Sequence, residues 1–504
     1  MTLRGLLRGS LLYTLGNLLP RLGAFLLLPI YTAAMAPEQF GVFSLMLSLS
    51  GLLAIGYRLG LDGALLRLHF DVDPRRRPSL YLTLAAVTLM AALGFSALMA
   101  LVAAPFFNLV FPGVPFLPFG VLALAITATT AFQYLPSALY RATERPGRFL
   151  LYALIVFGAS VAGTVVFLLL LDLGAAGGLL GQLSGGVATV IIAVMIIYRF
   201  RRSPFDRRLA HEGLAFGLPL VPHGMASWVL SLSDRWLIGF LIGLSAVQAQ
   251  AAVGIYSFGY LVAQAVSMVA MSFNSAWVPL FFTRGDSPRG PSILREMTTL
   301  SLGALGLLAV GIATLAPEIT DLLASRRWGP DAAAAADVMA VVALGFLLHG
   351  LYFMLVSSVF LRRRTRGLPL LTLVAGGANV AVNVVLIPRV GIMGAAWATV
   401  IGYAVLAIGT WWYAGRSYEV RLDVVRLGVI ATAAVGAVLA SRLVTPEASG
   451  LWLSGLTHAG VTGVYALVVL ATLRVPVDAV RSLLRAPLEP EAAKATIEAP
   501  KEHE

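Results

Sequence analysis

The chain has 504 residues, of which 59% are hydrophobic and only 12% charged, and its mean hydropathy is +0.88. A soluble domain spends about a quarter of its residues on charge, so this composition excludes an ordinary water-soluble globule and points to lipid as the solvent. Cysteine is absent, which excludes disulfides and thiol chemistry, and the net charge of +12 comes without the basic helix face, zinc spacing or aromatic signature that would mark a nucleic-acid partner.

Apolar runs of about 20 residues, the length needed to cross a bilayer as helix, occupy 11–33, 39–60, 79–104, 115–140, 148–171 and 175–198. No small-residue cleavage site follows the first run, so it reads as a retained helix rather than a signal peptide. The stretch 213–282 reads as one helix over 213–241, carrying Asp234 and Arg235 near its end, and a second over 251–281. Further spans follow at 292–316, 334–360, 368–388, 391–413, 422–444 and 451–473, which makes fourteen, arranged as six, six and two. The expected fold class is all-α and polytopic. No connection is long enough for a soluble catalytic domain; 317–333 is the longest on its side, and the Glu-rich tail from Pro487 reads as disordered.

The basic residues are 34 arginines and two lysines, Lys494 and Lys501. Alternating the connections from a cytoplasmic N-terminus places 27 arginines on the cytoplasmic side, including Arg75, Arg76 and Arg77 and the run Arg362, Arg363, Arg364 and Arg366. The other side receives four, Arg326, Arg327, Arg389 and Arg442, and Arg21, Arg58 and Arg235 fall within or at the edge of spans. Such a bias is the positive-inside rule, and it predicts that both termini are cytoplasmic. One span more or fewer would scramble it.

Charge within hydrocarbon is costly and marks candidate sites. Arg21 lies ten residues into the first span with Asn17 one turn earlier on its face, an arrangement suited to an anion in a hydrated cavity or to a buried carboxylate partner. Asp62 and Arg58 are spaced to pair. Asp234 and Arg235 point about 100° apart on one helix, so one is expected to face a cavity and the other to anchor at the interface. His223 sits between Pro222 and Gly224, where titration or a packing hydrogen bond would explain it. Gln264, Asn274 and the i,i+4 pair Asn379 and Asn383 either line a cavity or glue helices together. Tyr31, Tyr57, Tyr256, Tyr260 and Tyr403, with Trp277, Trp397, Trp411 and Trp412, read as an interfacial belt. Pro20 and Pro29 in the first span match Pro219 and Pro222 in the seventh, which suggests a duplicated architecture. The glycines at 174–178 and 185–186 permit close backbone approach, and nothing around them makes a phosphate loop. The six histidines lack acidic partners at metal-site spacing, so no metal, cofactor or catalytic nucleophile is expected.

Several segments then carry a resemblance. Pro29-Ile30-Tyr31-Thr32, Pro37, Phe40-Gly41 and Ser44-Leu45 open the first hairpin, and Ser233-Asp234-Arg235-Trp236-Leu237-Ile238-Gly239 continues through Val253-Gly254-Ile255-Tyr256-Ser257. The strongest stretch runs from Asn383 through Pro388-Arg389-Val390-Gly391 to Trp397-Ala398-Thr399. Together these resemble the bacterial polysaccharide-export flippases, a branch of the multidrug, oligosaccharidyl-lipid and polysaccharide exporter superfamily. The resemblance implies two six-helix lobes in a V, with boundaries at 1–205 and 206–415, two added helices in 416–475 and a cytoplasmic tail at 476–504. It implies residence in the bacterial cytoplasmic membrane and carriage of undecaprenyl-pyrophosphate-linked oligosaccharide to the outer leaflet, with membrane lipids, a glycan polymerase and export machinery as partners. By analogy Arg21 and Arg235 meet the pyrophosphate, while Asn17, Asn379 and Asn383 meet sugar hydroxyls. The acidic cation-binding pattern of the drug-exporting branch is not evident. Drug or cation antiport, peptidoglycan-precursor flipping, and more remotely a membrane-embedded glycan polymerase or an assembly scaffold are the alternatives.

Overall fold

Backbone amides in hydrocarbon find no water, so a chain this apolar must close its hydrogen bonds within its own helices. The computed structural model describes residues 3–444 and 451–473, with the side chains of 3–11, 14, 20–22, 103–106 and 325 outside that description. Every element among the described residues is helical. Fourteen helices are long and apolar enough to span a membrane. The first six are α1 (Leu15–Ala34), α2 (Pro37–Asp71), α3 (Arg77–Val102), α4 (Phe116–Ala142), α5 (Pro146–Leu170) and α6 (Gly174–Arg199). The next six are α7 (Arg207–Leu241), α8 (Ala246–Arg284), α9 (Gly290–Thr314), α10 (Arg326–Leu361), α11 (Thr365–Val390) and α12 (Ile392–Gly415), followed by α13 (Val424–Val444) and α14 (Leu451–Leu473). Each predicted span has its counterpart. The ends joined by the connections after α1, α3, α5, α7, α9 and α11 form the arginine-poor end of the molecule. Arg474, Arg481, Arg485 and the Glu-rich tail lie outside the described residues.

Local chemistry sets the helix boundaries. The Ser245 hydroxyl accepts from the Gln248 amide while Gln248 Oε1 accepts from the Ser245 amide, a capping box that starts α8 and ends the ambiguity within 213–282. Asp206 caps α7 by accepting from the amides of Arg208 (3.0 Å) and Leu209 (3.3 Å). It also pairs with Arg76, and that hydrogen bond holds the Asp206 carboxyl below the ordinary carboxylate range. The pair therefore contributes at neutral pH and is lost as acid protonates Asp206.

α2 is longer than expected because it bends and continues. Leu59 and Gly60 adopt left-handed conformations (φ 49° and 69°), ending one helical piece at Arg58 and starting another at Leu61. The break separates Arg58 from Asp62, so the expected pair does not form; Arg58 donates instead to the Thr130 carbonyl (3.1 Å) and Asp62 is exposed. α7 is broken too, by a single 3-10 turn at Leu218–Leu220 around Pro219. The two breaks meet, and an added Cβ at Gly60 would overlap the Gly217 carbonyl oxygen.

α1–α6 pack largely among themselves, as do α7–α12, while α2 packs densely on α8 as well. In the first group α1 leans on α5 through Gly16 against Phe149 and Gly23 against Phe157. The glycine-rich α6 packs backbone to backbone on α5, with Gly177 against the Phe167 carbonyl and Gly181 against Thr164. α13 and α14 rest on α9, burying Ile430, Ala437, Tyr465 and Val469 against Val310, with Thr314 and Thr462 joined at 2.8 Å.

Beyond the meeting of the two breaks and the Arg76–Asp206 pair, α2 makes two further contacts with the second group. Along α2 and α7, the indole N–H of Trp228 donates to the Ser48 carbonyl (2.9 Å) and that of Trp236 to the Ser48 hydroxyl (2.7 Å). At the arginine-poor end α2 crosses α8 so closely that an added Cβ at Gly41 would overlap the Gln250 carbonyl oxygen, and one at Gly254 the Pro37 carbonyl oxygen. The expected loop 317–333 is a strap of short helical turns from Ala316 to Ala332 reinforcing this contact. Its Leu323 carbonyl accepts from Thr32 (2.5 Å), Arg327 donates to the Ala33 carbonyl (3.4 Å) and the Trp328 indole donates to the Met35 carbonyl (2.9 Å). Trp328 is buried between Phe40 and Phe258.

Gly41→Val should therefore force the arginine-poor end apart, since overpacking of this kind costs about 1–3 kcal/mol. A cysteine replacing the buried Ser257, one turn past Gly254, should react with a maleimide faster in that background than in its absence. Equal labelling rates would mean that the crossing does not close this end.

Candidate functional site

The polar side chains of the second group converge around α7. Asp234 lies seven residues from the end of α7, roughly 10 Å deep by helical rise, and is fully buried. A buried carboxylate needs donors, and three neighbouring helices supply them. The Tyr256 hydroxyl on α8 donates to Oδ2 (2.6 Å), the Thr399 hydroxyl on α12 donates to Oδ2 (2.9 Å), and Asn383 Nδ2 on α11 donates to Oδ1 (2.8 Å). Asn379, one turn from Asn383, accepts from the same Nδ2 through its side-chain oxygen (3.1 Å). Asn379 Nδ2 and Asn383 Oδ1 are buried without a partner among the described residues.

Arg235 is buried as well, and its guanidinium stands 4.6 Å over the Tyr260 ring and 5.9 Å from that of Tyr256. Aromatic faces attract a cation and tolerate its partial desolvation. Its remaining contact is a long 3.4 Å bond to the Ser231 carbonyl. Neither Asp234 nor Arg235 anchors at an interface, contrary to expectation: Asp234 turns into the α7–α8–α11–α12 bundle, while Arg235 turns onto the tyrosines of α8. Beyond them Tyr260 packs on Phe346 (5.2 Å), Phe346 on Tyr403 (5.7 Å), and Tyr403 stacks with His349 (4.5 Å), whose Nδ1 lies 3.2 Å from the Ser267 hydroxyl.

The structure distributes the other candidates unevenly. Asn383 donates to Asp234 and Asn379 accepts from Asn383, so both belong to the buried cluster. Gln264 is half-buried one turn beyond Tyr260 on α8, and His223 is half-buried just after the α7 break with no partner for Nδ1 among the described residues. Asn17 is exposed on α1. The Arg21 side chain lies outside the described residues, although its backbone is helical. Tyr31, Tyr57, Tyr256, Tyr260, Tyr403 and Trp277 are buried rather than interfacial, whereas Trp397, Trp411 and Trp412 are exposed as a belt requires. Thr399 and Tyr403, and Tyr256 and Tyr260, are i,i+4 pairs whose shared face was the signal that an aromatic belt obscured.

Chemically, one carboxylate, two amides and two hydroxyls, those of Tyr256 and Thr399, come together in the buried interior. Hard oxygen donors of this kind suit a small cation or a carboxylate that exchanges its proton. Among the described residues no group of three or more His, Cys, Asp or Glu converges, so the set is unlike a transition-metal site.

Fourteen spanning helices around a buried polar cluster define a multi-pass membrane protein, and other proteins share its fold. Solved structures with this fold include a Lipid II flippase MurJ in an inward closed conformation, at TM-score 0.68 and 15% identity over 95% of this chain and 100% of that one. An inward-facing multidrug resistance MATE family transporter of the MOP superfamily matches at TM-score 0.57 and 15% identity over 80% of this chain and 94% of that one. No curated protein matches the sequence. The family described as "Polysaccharide biosynthesis protein" matches residues 6–283, and the chain belongs to it.

Tyr256→Phe removes one hydrogen bond to a carboxylate, worth about 1.5–3 kcal/mol, and should lower the thermal unfolding midpoint in detergent. An unchanged midpoint would show that Asp234 does not depend on that donor.

Proposed function

We propose that the protein is a flippase that carries polyprenyl-pyrophosphate-linked oligosaccharide units between the leaflets of a bacterial cytoplasmic membrane, by alternating access and without covalent chemistry. The reading is carried by the family match over residues 6–283 on a fourteen-helix fold whose two six-helix groups meet at a glycine crossing. In this reading the lobes are 1–205 and 206–415, with 416–475 as an added hairpin and 476–504 as a tail. The arginine-rich end faces the cytoplasm by the positive-inside rule, which puts the crossing and its strap on the outer side.

In this reading the polar head enters between the two groups while the polyprenyl tail stays in lipid. Arg21 and Arg235 attract the pyrophosphate, for which the planar guanidinium offers paired donors. Asn17, exposed on α1, meets sugar hydroxyls, and His223 and Gln264 border the same route. Asp234 is the group that exchanges a proton or small cation during the cycle, because a charge change at a fully buried carboxylate is large enough in free energy to bias α7. Opening the arginine-poor crossing while the opposite end closes would deliver the head outward. A glycan polymerase and export machinery would then take up the product.

The test is leaflet transfer in proteoliposomes, with a polyprenyl-pyrophosphate-linked oligosaccharide, a lipid-linked peptidoglycan precursor and a cationic dye assayed side by side. Transfer of the first is expected, and Arg21→Ala or Arg235→Ala should slow it about tenfold or more, the scale of one charge-assisted contact, at normal membrane abundance. Transfer of the peptidoglycan precursor or the dye alone would assign the chain to another substrate. A normal rate in both variants would remove the arginines from the route.

A further inference from the structure

By chain connectivity the strap 316–332 belongs to the second group, since it joins α9 to α10 and its helix Ala316–Leu323 packs along α10. Hydrogen bonds nevertheless cross from it to the end of α1 in the first group. They form because two helix ends lie face to face, and the last carbonyls of a helix have no partner within it. Ala33 is such a residue, since Pro37, four positions on, has no N–H to give. Its carbonyl accepts from Arg327 (3.4 Å), and a guanidinium there is also favoured by the negative end of the α1 dipole. The Met35 carbonyl, just past α1, accepts from the Trp328 indole (2.9 Å). In return Leu323, the last residue of its own short helix, offers its carbonyl to the Thr32 hydroxyl (2.5 Å). Each helix end caps the other.

These groups differ in what they lose if the strap withdraws. The Thr32 hydroxyl falls back on the Leu28 carbonyl of its own helix, already 3.1 Å away. Arg327 is exposed, so water replaces its partner at small net cost. Trp328 is the exception. It is 3% exposed, and its ring stands 5.7 Å from that of Phe40 on α2 and 5.4 Å from that of Phe258 on α8. Phe40 precedes Gly41, and Phe258 follows Gly254 by one turn. The indole therefore straddles the glycine crossing with one neighbour on each of the two helices. A large aromatic side chain buried in this way carries more of the contact than the exposed hydrogen bonds around it.

We propose that the strap is the latch of the arginine-poor end and that Trp328 is its pin. Seated between Phe40 and Phe258, the indole holds α2 on α8, and this end opens when Trp328 leaves Phe40 and Met35 while staying with Phe258. The reciprocal caps set the register in which the strap reseats. Trp328 lies in the first turn of α10, so a tilt of that helix moves the indole directly. The inference rests on the alternating-access reading for what opening accomplishes, and the latch itself is independent of the substrate.

Distance measurement between spin labels tests it on the full chain in lipid nanodiscs without substrate. Because the protein has no cysteine, Leu171→Cys and Val390→Cys, exposed at the arginine-poor ends of the two groups, introduce one pair that reports opening. Trp328→Ala should raise the ratio of long to short distances about tenfold, the scale of one lost hydrogen bond together with an aromatic contact. Trp328→Phe, which keeps a ring and loses the N–H, should raise it about threefold, and Thr32→Val at most about twofold. A purely structural strap would lower the thermal unfolding midpoint and leave the distances alone, so an unchanged distribution in Trp328→Ala overturns the proposal. If Trp328→Ala does not fold, Trp328→Phe decides in the same way. Opening by Thr32→Val as large as by Trp328→Ala also overturns it, because the latch would then lie in the caps. In a second arm, Ala33→Cys and Arg327→Cys, both exposed, are joined by a cleavable thiol cross-linker. Transfer of a polyprenyl-pyrophosphate-linked oligosaccharide in proteoliposomes should stop and return on cleavage, and full transfer by the cross-linked protein overturns the latch. Absent transfer without the cross-link counts against the flippase reading and leaves the distance result standing.

Discussion

Two helix backbones can touch only where neither carries a side chain, and this constraint governs how the two halves of the protein meet. Gly41 on α2 and Gly254 on α8 are reciprocal, each lying where a Cβ would occupy the position of a carbonyl oxygen on the other helix. In a bilayer, where burial of apolar surface gives little net gain, such close van der Waals approach is what holds helices together. Contact of this kind is short-ranged, so a small separation forfeits much of it at once. The halves are therefore joined by something that is either made or lost, unlike a continuously yielding interface. That property suits a gate better than a permanent seam.

Charge imposes the second constraint, and α7 is where the two meet. It carries Asp234 and Arg235 into the bundle of α8, α11 and α12, and from the same helix it places Trp228 and Trp236 on Ser48 of α2. A carboxylate enclosed by Tyr256, Asn383 and Thr399 has its donors fixed, and those donors lie on three helices of its own half. Any change in what Asp234 holds must be absorbed by α7 or by those partners. α7 is the softer of the two, since Pro219 has already interrupted it and its broken segment rests on a bend in α2 at Gly60. The cluster and the contact between halves are thus mechanically in series.

Much of this architecture was legible in the residues, for reasons that differ by feature. Span number and alternation were readable because hydropathy and arginine placement are independent signals that agree at every connection. The start of α8 was read late, at 251, because Gln248 and Gln250 interrupt the apolar run, whereas the Ser245–Gln248 cap begins the helix at Ala246. Arg58 and Asp62 illustrate the limit of helical spacing: the pair would form on an unbroken helix, but Leu59, a residue with no turn propensity, takes the left-handed conformation between them. The Asp234 cluster was legible in its parts and illegible as a site. Its members are spread from α7 to α12, and no periodicity links Asp234 to Thr399 at 165 positions' remove. Tyrosines toward span ends fit an interfacial belt equally well until packing shows Tyr256 and Tyr260 facing inward.

The two C-terminal helices gain a reason from the same geometry. A bundle of twelve helices could close on itself, and the α13–α14 pair buries only a narrow apolar strip on α9, leaving most of its surface to lipid. Apolar packing alone would fix the hairpin loosely, because lipid tails compete for the same surface. Its polar contacts are few and concentrated at one end, where His458, Ser454 and Arg442 meet Glu318 and Asp337. Ionic groups at that depth are costly unless engaged, so the hairpin is specified in position where it touches the strap and weakly elsewhere. An appendage built this way adds little to the stability of the twelve-helix body. What it adds is a polar hold on the short helix Ala316–Leu323, which on its other side accepts from Thr32 of α1.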